Sequence, residues 1–392
     1  MWIYIWTFLI SSGLVYIAEK AERIKNSKII TYTLLIIAII LPAALAGMRA
    51  DTIGTDVKTY AEPMFNVAIL SNSFSNYLST AVAHNTEFCY SLLIYFSSRL
   101  SNQLFISLFL THLLIISSVV FGLWEFKQKY NKNTSLFFAL LLFYFVFYNT
   151  SLNMIRQSIA MFIIFWAFNF LLKQEYLKYL ISLVIAVNFH RTAIFGLLIF
   201  LIYYFVVVKA SNRKIEFLVS ENTSFSFPIP MFYSLIPILG VGLLVLMPNV
   251  LSTILNFLGF SHYTDVYFIN NTVSFSWGNF ALRLPFLIIL IMQWRHLKTN
   301  DNRLRYFYLT ITIIDILLTQ LSGRSTYASR IGYYTTVFYL YAVPDEIAAE
   351  NSVLKRYAMY MFIIVCVILY WYYFMVVLGY NETVPYVFNS AF

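Results

Sequence analysis

Charged side chains are scarce in this 392-residue chain. Asp, Glu, Lys and Arg together make up 11% of it, whereas a soluble domain carries about 25%. Hydrophobic residues account for 60%, and the mean hydropathy is +0.74. A soluble fold could not bury that much apolar surface, so the composition excludes a soluble enzyme or binding module. Lipid is the solvent that suits this chain.

Cysteine is almost missing as well, and so are the common cofactor motifs. The two cysteines, Cys89 and Cys366, lie in apolar runs, which excludes a disulfide framework and a cysteine zinc site. No P-loop, dinucleotide fingerprint, zinc motif or G-x-S-x-G occurs in a fitting context. We therefore expect no cofactor, no metal and no energy source within the chain. The net charge of +9 is assigned to cytoplasmic loops rather than to nucleic-acid binding.

Long apolar runs are abundant, and each of about 17–25 residues predicts a transmembrane helix. The prediction is an all-α polytopic membrane protein, a single transmembrane domain over 1–392 with outer loops 48–86 and 249–280. The apolar stretch 88–100 is shorter and predicts a partial or re-entrant helix. The twelve predicted spans are 2–18, 29–47, 103–124, 134–150, 152–172, 175–190, 192–208, 231–248, 281–297, 306–322, 331–347 and 357–378.

The distribution of Lys and Arg predicts the orientation. If 88–100 does not cross, six segments on one side hold 18 of the 26 Lys and Arg residues. Cytoplasmic loops carry the excess of these residues, so this side is expected to face the cytoplasm. The remaining ionisable residues then gather at the outer ends of the helices. Ionisable groups at membrane depth are expensive and usually functional, so this shared depth is the main functional signal.

Three polar groups at this depth come from the first half of the chain. Arg49 ends a span and is followed by a turn with Gly54 and Asp56, which suits a positioned acid or base; an ordinary polar turn is the alternative. Glu87 precedes the partial helix, where a carboxylate can simply cap the helix dipole. The third group, Asn153, Arg156 and Gln157, opens an apolar span. The planar fork of an Arg matches phosphate or carboxylate oxygens, although an Arg can also snorkel to lipid headgroups.

Further candidates follow later in the chain. His190 and Arg191 lie between two spans, and imidazole exchanges protons near neutral pH, although a polar hairpin tip is the alternative. Arg324 and Arg330 surround a short outer turn that Tyr334 follows. Five guanidiniums at one face predict an anionic ligand, and a phosphate-bearing lipid head is the natural one. Asp315 is the one acid deep within a span, where it serves either a proton pathway or a structural hydrogen bond.

These motifs together resemble the EpsG-like, Wzy-type polysaccharide polymerases of bacteria. The resemblance implies a GT-C-like glycosyltransferase that joins repeat units on undecaprenyl pyrophosphate at the periplasmic face of the inner membrane. It implies that donor and acceptor are both lipid-linked oligosaccharides, with a chain-length regulator as a candidate partner. The matching pieces are Arg49 with Gly54-Thr55-Asp56 and Tyr60, Glu87 with Tyr90, Asn153 with Arg156 and Gln157, His190, Arg330 with Tyr334, and Pro385-Tyr386.

The implied chemistry assigns roles to these residues. Arg should neutralise the leaving pyrophosphate, and a carboxylate or His should accept the proton of the sugar hydroxyl. Asp56 is the first candidate for the base, with Glu87 and His190 as rivals. The predicted substrate-binding residues are Arg156 and Arg330 first, then Arg49, Arg191, Arg324 and Tyr334, with Asn153 and Gln157 orienting sugar hydroxyls. A glycan ligase, a lipid-linked oligosaccharide flippase and a membrane acyltransferase remain alternatives.

Overall fold

The computed structural model describes residues 1–24, 27–84, 86–210, 214–220, 223–247, 250, 253, 256–257, 275–293, 303–323 and 328–389. Within them the chain is almost entirely helical, as predicted, and it divides into two compact units. Unit 1 comprises Met1–Ile194 and Leu354–Phe392, and unit 2 comprises Phe195–Val353. A single transmembrane domain stays a prediction, and most of the predicted outer loop 249–280 lies outside the described residues.

Unit 1 consists of helices and short helical turns. Its α-helices are α1 (Trp2–Glu22), α2 (Lys28–Gly47), α3 (Glu62–Leu70), α4 (Phe74–Leu78), α5 (Ala81–His84), α6 (Phe88–Leu100), α7 (Leu104–Lys129), α8 (Leu136–Phe143), α9 (Asn149–Asn153), α10 (Ile155–Leu172) and α11 (Tyr176–Val187). Three π-helical segments (Val57–Ala61, Tyr144–Tyr148 and Tyr372–Val377) and two 3₁₀ turns (Arg191–Phe195 and Tyr380–Glu382) complete it.

Unit 2 adds a β-hairpin to its helices. The helices are α12 (Gly196–Tyr203), continued by a π-helical segment (Tyr204–Lys209), α13 (Ile229–Leu246), α14 (Trp277–Met292), α15 (Arg303–Thr319), α16 (Tyr333–Thr336) and α17 (Tyr339–Ala348), with 3₁₀ turns at Gln320–Gly323 and Ala328–Gly332. Helix α18 (Val353–Trp371) returns the chain to unit 1.

A β-hairpin, which the sequence analysis did not predict, is added to the otherwise helical architecture. Strand β1 (Lys214–Ser220) pairs antiparallel with β2 (Thr223–Pro228), with Phe217 opposite Phe225. Only parts of the two segments, Lys214–Phe217 and Ser224–Phe227, alternate polar and apolar residues in the period-two pattern of a strand. The search for long apolar runs did not detect so short an alternation.

Most predicted spans are long and apolar enough to cross a membrane. Among the described residues nine helices meet that requirement, and they match nine of the twelve predicted spans. The predicted spans 175–190 and 281–297 correspond to the shorter helices Tyr176–Val187 and Trp277–Met292. The predicted span 331–347 is divided among a 3₁₀ turn, α16 and α17. A multi-pass membrane protein is thus confirmed, while the count of twelve crossings stays a prediction.

The helix over 136–153 forms the centre of unit 1, since 94% of it is buried. It packs beside α2, where Pro42 has no N–H and leaves the Ala38 carbonyl without its helical donor. The Ser11 hydroxyl donates to that carbonyl at 2.6 Å and also lies 2.6 Å from the Tyr144 hydroxyl. The Tyr148 hydroxyl donates to the Pro42 carbonyl at 2.7 Å. The proline in α2 is therefore matched by polar partners from both neighbouring helices.

Polar side chains of unit 1 collect at the two ends of its helices. Near the C-terminal ends of α1 and α7, Lys127 Nζ lies 2.5 Å from Glu19 Oε1. At the start of α1, the Tyr4 hydroxyl donates to the Thr383 carbonyl at 2.7 Å. The 21 residues of α1 place about 30 Å between these ends. The Lys-bearing end is the one that the sequence assigns to the cytoplasm.

Asp315, the deep acid of the sequence, is the centre of a buried polar network in unit 2. Its Oδ2 accepts from Arg283 Nε and the Tyr339 hydroxyl, each at 2.8 Å. Its Oδ1 accepts from the hydroxyls of Thr336 at 2.7 Å and Thr335 at 3.1 Å. The network supports the structural alternative for Asp315, with four donors on three helices instead of one neighbour.

Removing Asp315 should destabilise the protein strongly. Asp315→Ala removes the carboxylate that pairs with the Arg283 guanidinium, whose side chain is 4% exposed, and breaking a buried ion pair in this way costs about 3–5 kcal/mol. We expect a melting temperature several degrees lower in detergent, and much of it regained in the apolar double variant Asp315→Leu/Arg283→Met. Asp51→Asn, at an exposed acid, is the matched control. Equal melting temperatures for Asp315→Ala and the control would contradict this prediction.

Candidate functional site

The candidate site lies at a break between the central helix over 136–153 and α10. Helix α9 ends at Asn153, α10 begins at Ile155, and Met154 between them has φ −87° and ψ 64°, outside the helical region. The break places the Asn153 amide at the junction and Arg156 in the first turn of α10. Neither Gly nor Pro marks this point, so the usual sequence signals of a helix end did not reveal it.

The turn after α2 docks onto this break. Gly54 has φ +84°, and a Cβ on it would lie 2.5 Å from the Leu152 carbonyl oxygen. The Asn153 Oδ1 accepts from the Thr55 hydroxyl at 2.9 Å and from the Asp56 backbone N–H at 3.3 Å. The close approach at Gly54 and these two hydrogen bonds hold Asp56 beside the start of α10. Asn153, predicted to orient sugar hydroxyls, thus orients the turn that carries Asp56.

Five side chains form a continuous cluster at this point, here called the Arg156 cluster: Asp56, Tyr60, Glu87, Arg156 and His190. The Tyr60 hydroxyl donates to Asp56 Oδ2 at 2.7 Å, and the Tyr60 ring centroid lies 4.4 Å from Arg156 Cζ. Arg156 Nη1 donates to Glu87 Oε2 at 2.7 Å, and His190 Nδ1 lies 3.3 Å from Glu87 Oε1. The structure therefore brings together the three candidate bases and the first-ranked Arg.

The electrostatics of the cluster determine the charge states of Glu87 and Tyr60. Burial alone would raise the pKa of Glu87, but the neighbouring His190 and Arg156 outweigh it and lower that pKa from 4.5 to about 2. Glu87 is thus an ionised counter-ion across the neutral and mildly acidic range and a poor proton acceptor. Burial and the adjacent Asp56 charge raise the pKa of Tyr60 well above 10, so Tyr60 remains a hydrogen-bond donor.

The loop carrying His190 is attached to the start of α6. The Cys89 N–H donates to the Asn188 carbonyl at 2.9 Å, and the Arg191 N–H donates to Glu87 Oε1 at 3.2 Å. The His190 ring lies within ion-pair distance of Glu87 but is not aligned for a regular hydrogen bond within the described structure. The Arg191 side chain is exposed, so its backbone, and not its guanidinium, joins the cluster.

Arg49 has a different environment. Its side chain is fully buried, with Nη1 donating to the Ala46 carbonyl at 3.0 Å and Nη2 to the Leu152 carbonyl at 2.9 Å. A backbone bridge joins Arg49 to Phe388 of the C-terminal tail. In this arrangement the guanidinium stabilises the carbonyl end of the helix break and presents no surface to a ligand. We therefore leave Arg49 out of the binding set, although its predicted substrate contact remains untested.

The C-terminal tail is part of the same scaffold, a role that the sequence did not reveal. Asn381 Oδ1 accepts from the Asn153 amide at 3.2 Å, and the Tyr386 hydroxyl donates to the Leu45 carbonyl at 2.6 Å. The tail is about 230 residues from Asn153 along the chain. Pro385-Tyr386 was noted as a motif, but sequence spacing could not show which helix ends it contacts.

The remaining predicted residues lie elsewhere. Gln157 is buried behind Arg156 in α10. In unit 2, Arg330 is partly exposed in the 3₁₀ turn Ala328–Gly332, and Tyr334 is buried in α16. Arg324 lies outside the described residues. Over the described part of the chain, no three His, Cys, Asp or Glu side chains gather as a metal site would require.

Comparison with known proteins completes this description. The EpsG family profile matches residues 32–388. This range contains every candidate site residue and leaves out α1, the first turn of α2 and the last four residues of the chain. No curated protein and no solved structure matches the chain. On the strength of the family match, this chain belongs to the EpsG family, the family of Wzy-type polysaccharide polymerase-like proteins.

Proposed function

We propose that this protein is a polysaccharide polymerase of GT-C-like architecture in a bacterial cytoplasmic membrane. It transfers a growing glycan from undecaprenyl pyrophosphate to the next lipid-linked repeat unit at the outer face. The observation that carries the proposal is the Arg156 cluster, in which a guanidinium and a carboxylate from distant segments share Tyr60. Its position at the end of unit 1 away from the Lys127–Glu19 pair supports an outward-facing site.

Arg156 suits the pyrophosphate of the donor. A guanidinium has five N–H donors in a planar fork, and Glu87 accepts from Nη1, so donors remain for phosphate oxygens. The side chain is 24% exposed, which allows a ligand to reach it while most water is excluded. Its charge would stabilise the negative charge that develops on the leaving pyrophosphate. Arg324 and Arg330 stay predictions for the same ligand.

Asp56 is the proposed general base. The acceptor hydroxyl oxygen forms a bond to the anomeric carbon of the donor as the bond from that carbon to the pyrophosphate oxygen breaks. The electron pair of the broken bond leaves with the pyrophosphate, and the hydroxyl proton passes to the Asp56 carboxylate. The low pKa of Glu87 disfavours it as the base, and His190 remains the rival.

Replacing Asp56 with asparagine should stop chain growth with little structural change. General-base removal costs about 10²-fold or more in rate, and the asparagine keeps the size of the side chain and an oxygen for the Tyr60 hydroxyl. The measurement is a gel of surface polysaccharide from a deletion strain that carries each variant at matched membrane levels. We expect a single repeat unit instead of a ladder for Asp56→Asn, and a normal ladder for the control Asp51→Asn.

The same gel tests the function itself. The uncomplemented deletion strain should also show a single repeat unit, because export and ligation continue without polymerisation. An unchanged ladder in that strain would overturn the proposed function, and loss of every repeat unit would favour a ligase or flippase. A normal ladder from Asp56→Asn alone would transfer the role of base to His190.

A further inference from the structure

Tyr60 occupies the centre of the Arg156 cluster and has two different contacts. Its hydroxyl donates to Asp56 Oδ2 at 2.7 Å, and its ring lies 4.4 Å from the Arg156 guanidinium carbon. The Tyr90 ring from α6 meets it edge-on at 5.9 Å between centroids. The spacing of four residues between Asp56 and Tyr60 places the two side chains on one face of the helical segment that follows the Gly54 turn.

Each contact restrains a different group. A hydrogen bond to a carboxylate favours its charged form and fixes its direction, so the hydroxyl prepares Asp56 to accept a proton. An Arg over the face of an aromatic ring gains about 0.5–2 kcal/mol, so the ring holds the Arg156 guanidinium beside it. Because the pKa of the phenol is raised well above its usual range, the hydroxyl remains a donor throughout the working pH range.

We infer that Tyr60 is a positioning residue that sets the distance and orientation between Asp56 and Arg156. The inference rests on the proposed function and adds to it. Asp56 lies in the turn after α2, and Arg156 lies in the first turn of α10, about 100 residues later in the chain. Tyr60 touches both, and Arg156 is fixed on its other side by Glu87.

Other groups around Asp56 must be considered for any pH effect. Arg156 from α10 and Tyr90 from α6 interact with the Asp56–Tyr60 pair electrostatically. Glu87 and His190 lie beyond Arg156. A Tyr60→Phe substitution leaves all of these in place and removes only the hydroxyl, which donates to Asp56 and also interacts with Arg156. Because a guanidinium stays charged at every pH of the assay, a shift of the acidic limb reports on the hydrogen bond to Asp56.

The experiment uses the full chain reconstituted in liposomes, with lipid-linked repeat units extracted from the deletion strain. Polymerisation rates are measured against pH for the parent, Tyr60→Phe and Tyr60→Leu. Without the Tyr60 hydroxyl as donor, the protonated form of the Asp56 carboxyl is favoured. In Tyr60→Phe the acidic limb of the kcat/KM profile should therefore move to a higher pH by about one unit. At neutral pH its rate should fall only several-fold. Tyr60→Leu also loses the ring that contacts Arg156, so its polymerisation rate should be about tenfold lower than that of Tyr60→Phe.

Tyr77→Phe is the matched control. Its hydroxyl is buried in the same outer segment and has no hydrogen-bond partner within the described structure, so the same chemical change should leave the pH profile unchanged. A Tyr60→Phe profile that superposes on the parent and on Tyr77→Phe would overturn the inference. Asp56→Asn in the same assay distinguishes the proposed role of Asp56 from that of Tyr60. If Asp56→Asn is inactive while Tyr60→Phe is normal, only the positioning role of Tyr60 fails. If Asp56→Asn is fully active, the proposed base fails as well.

Discussion

Arg156→Ala is expected to abolish polymer formation, with kcat/KM about 10³-fold lower. Arg156 is the cation of the cluster that meets both Tyr60 and Glu87 and still has donors for a phosphate. Removing one preorganised donor to a developing oxyanion costs about 10²–10³-fold, and here a full charge is lost as well. Two measurements check this: the polysaccharide ladder of the variant strain, and the polymerisation rate of the variant in liposomes at the same protein level as the parent.

Three variants separate ligand binding from structural damage. Arg156→Lys keeps the charge but not the planar fork. Its polymerisation activity should therefore lie between those of the parent and Arg156→Ala. Glu87→Gln breaks the same ion pair while retaining the guanidinium, so it should lose much less activity than Arg156→Ala. Lys58→Ala removes a cation that lies near the cluster in sequence, two residues after Asp56, but is 56% exposed and 3.8 Å from Asp51, and it should behave like the parent. A full ladder from Arg156→Ala would contradict the assignment of Arg156 to the pyrophosphate.

Gly54→Ala is expected to disrupt the site from a position outside the Arg156 cluster. A Cβ at Gly54 would lie 2.5 Å from the Leu152 carbonyl oxygen, and the backbone there has φ +84°. The left-handed conformation alone costs an L-residue about 1–2 kcal/mol, and relieving the contact must push the turn away from the helix break. We expect a lower melting temperature and a loss of polymer as severe as that of Asp56→Asn, because the same turn holds Asp56.

Gly13→Ala is the control for this glycine. Gly13 lies in α1, and nothing would come within 4 Å of a Cβ there. Alanine is favoured over glycine in a helix interior by about 1 kcal/mol, so this variant should be as stable as the parent or more so. If Gly54→Ala matched Gly13→Ala in both stability and polymer length, the close docking of the turn would not be needed for function.

The helices themselves were readable from the sequence. The apolar runs 2–18, 29–47 and 103–124 appear as α1, α2 and α7, and the short stretch 88–100 appears as α6 with the same bounds. Length and apolarity decide these elements, because an unpaired backbone is too costly in lipid for any other local structure. The β-hairpin at 214–228 was missed, since its alternation is weak beside such runs.

The members of the site were also named from the sequence, but their roles were not. The orientation argument predicted that one end of the helices gathers the polar candidates. The structure does bring together Asp56, Glu87, Arg156 and His190. The sequence could not show that Glu87 pairs with Arg156, which makes it a counter-ion and a poor base. Nor could it show that the Arg49 guanidinium turns inward to backbone carbonyls while Arg156 stays partly exposed, because both are arginines at a span end.

Composition and apolar runs by themselves therefore determined a multi-pass helical protein, while the short polar motifs carried the family resemblance and named the candidate residues at the helix ends. These properties depend on how each segment partitions between water and lipid, which local sequence controls. The predicted boundary between spans 134–150 and 152–172 already lay near the break at Met154. Only the tertiary structure decided the docking of Gly54 on Leu152, the hydrogen bond from Asn153 to Asn381 and the place of Tyr60 between Asp56 and Arg156. Each of these is a contact between segments about 100 or more residues apart, or depends on one. No local pattern encodes such pairings, because they are selected by the packing of the whole helix assembly.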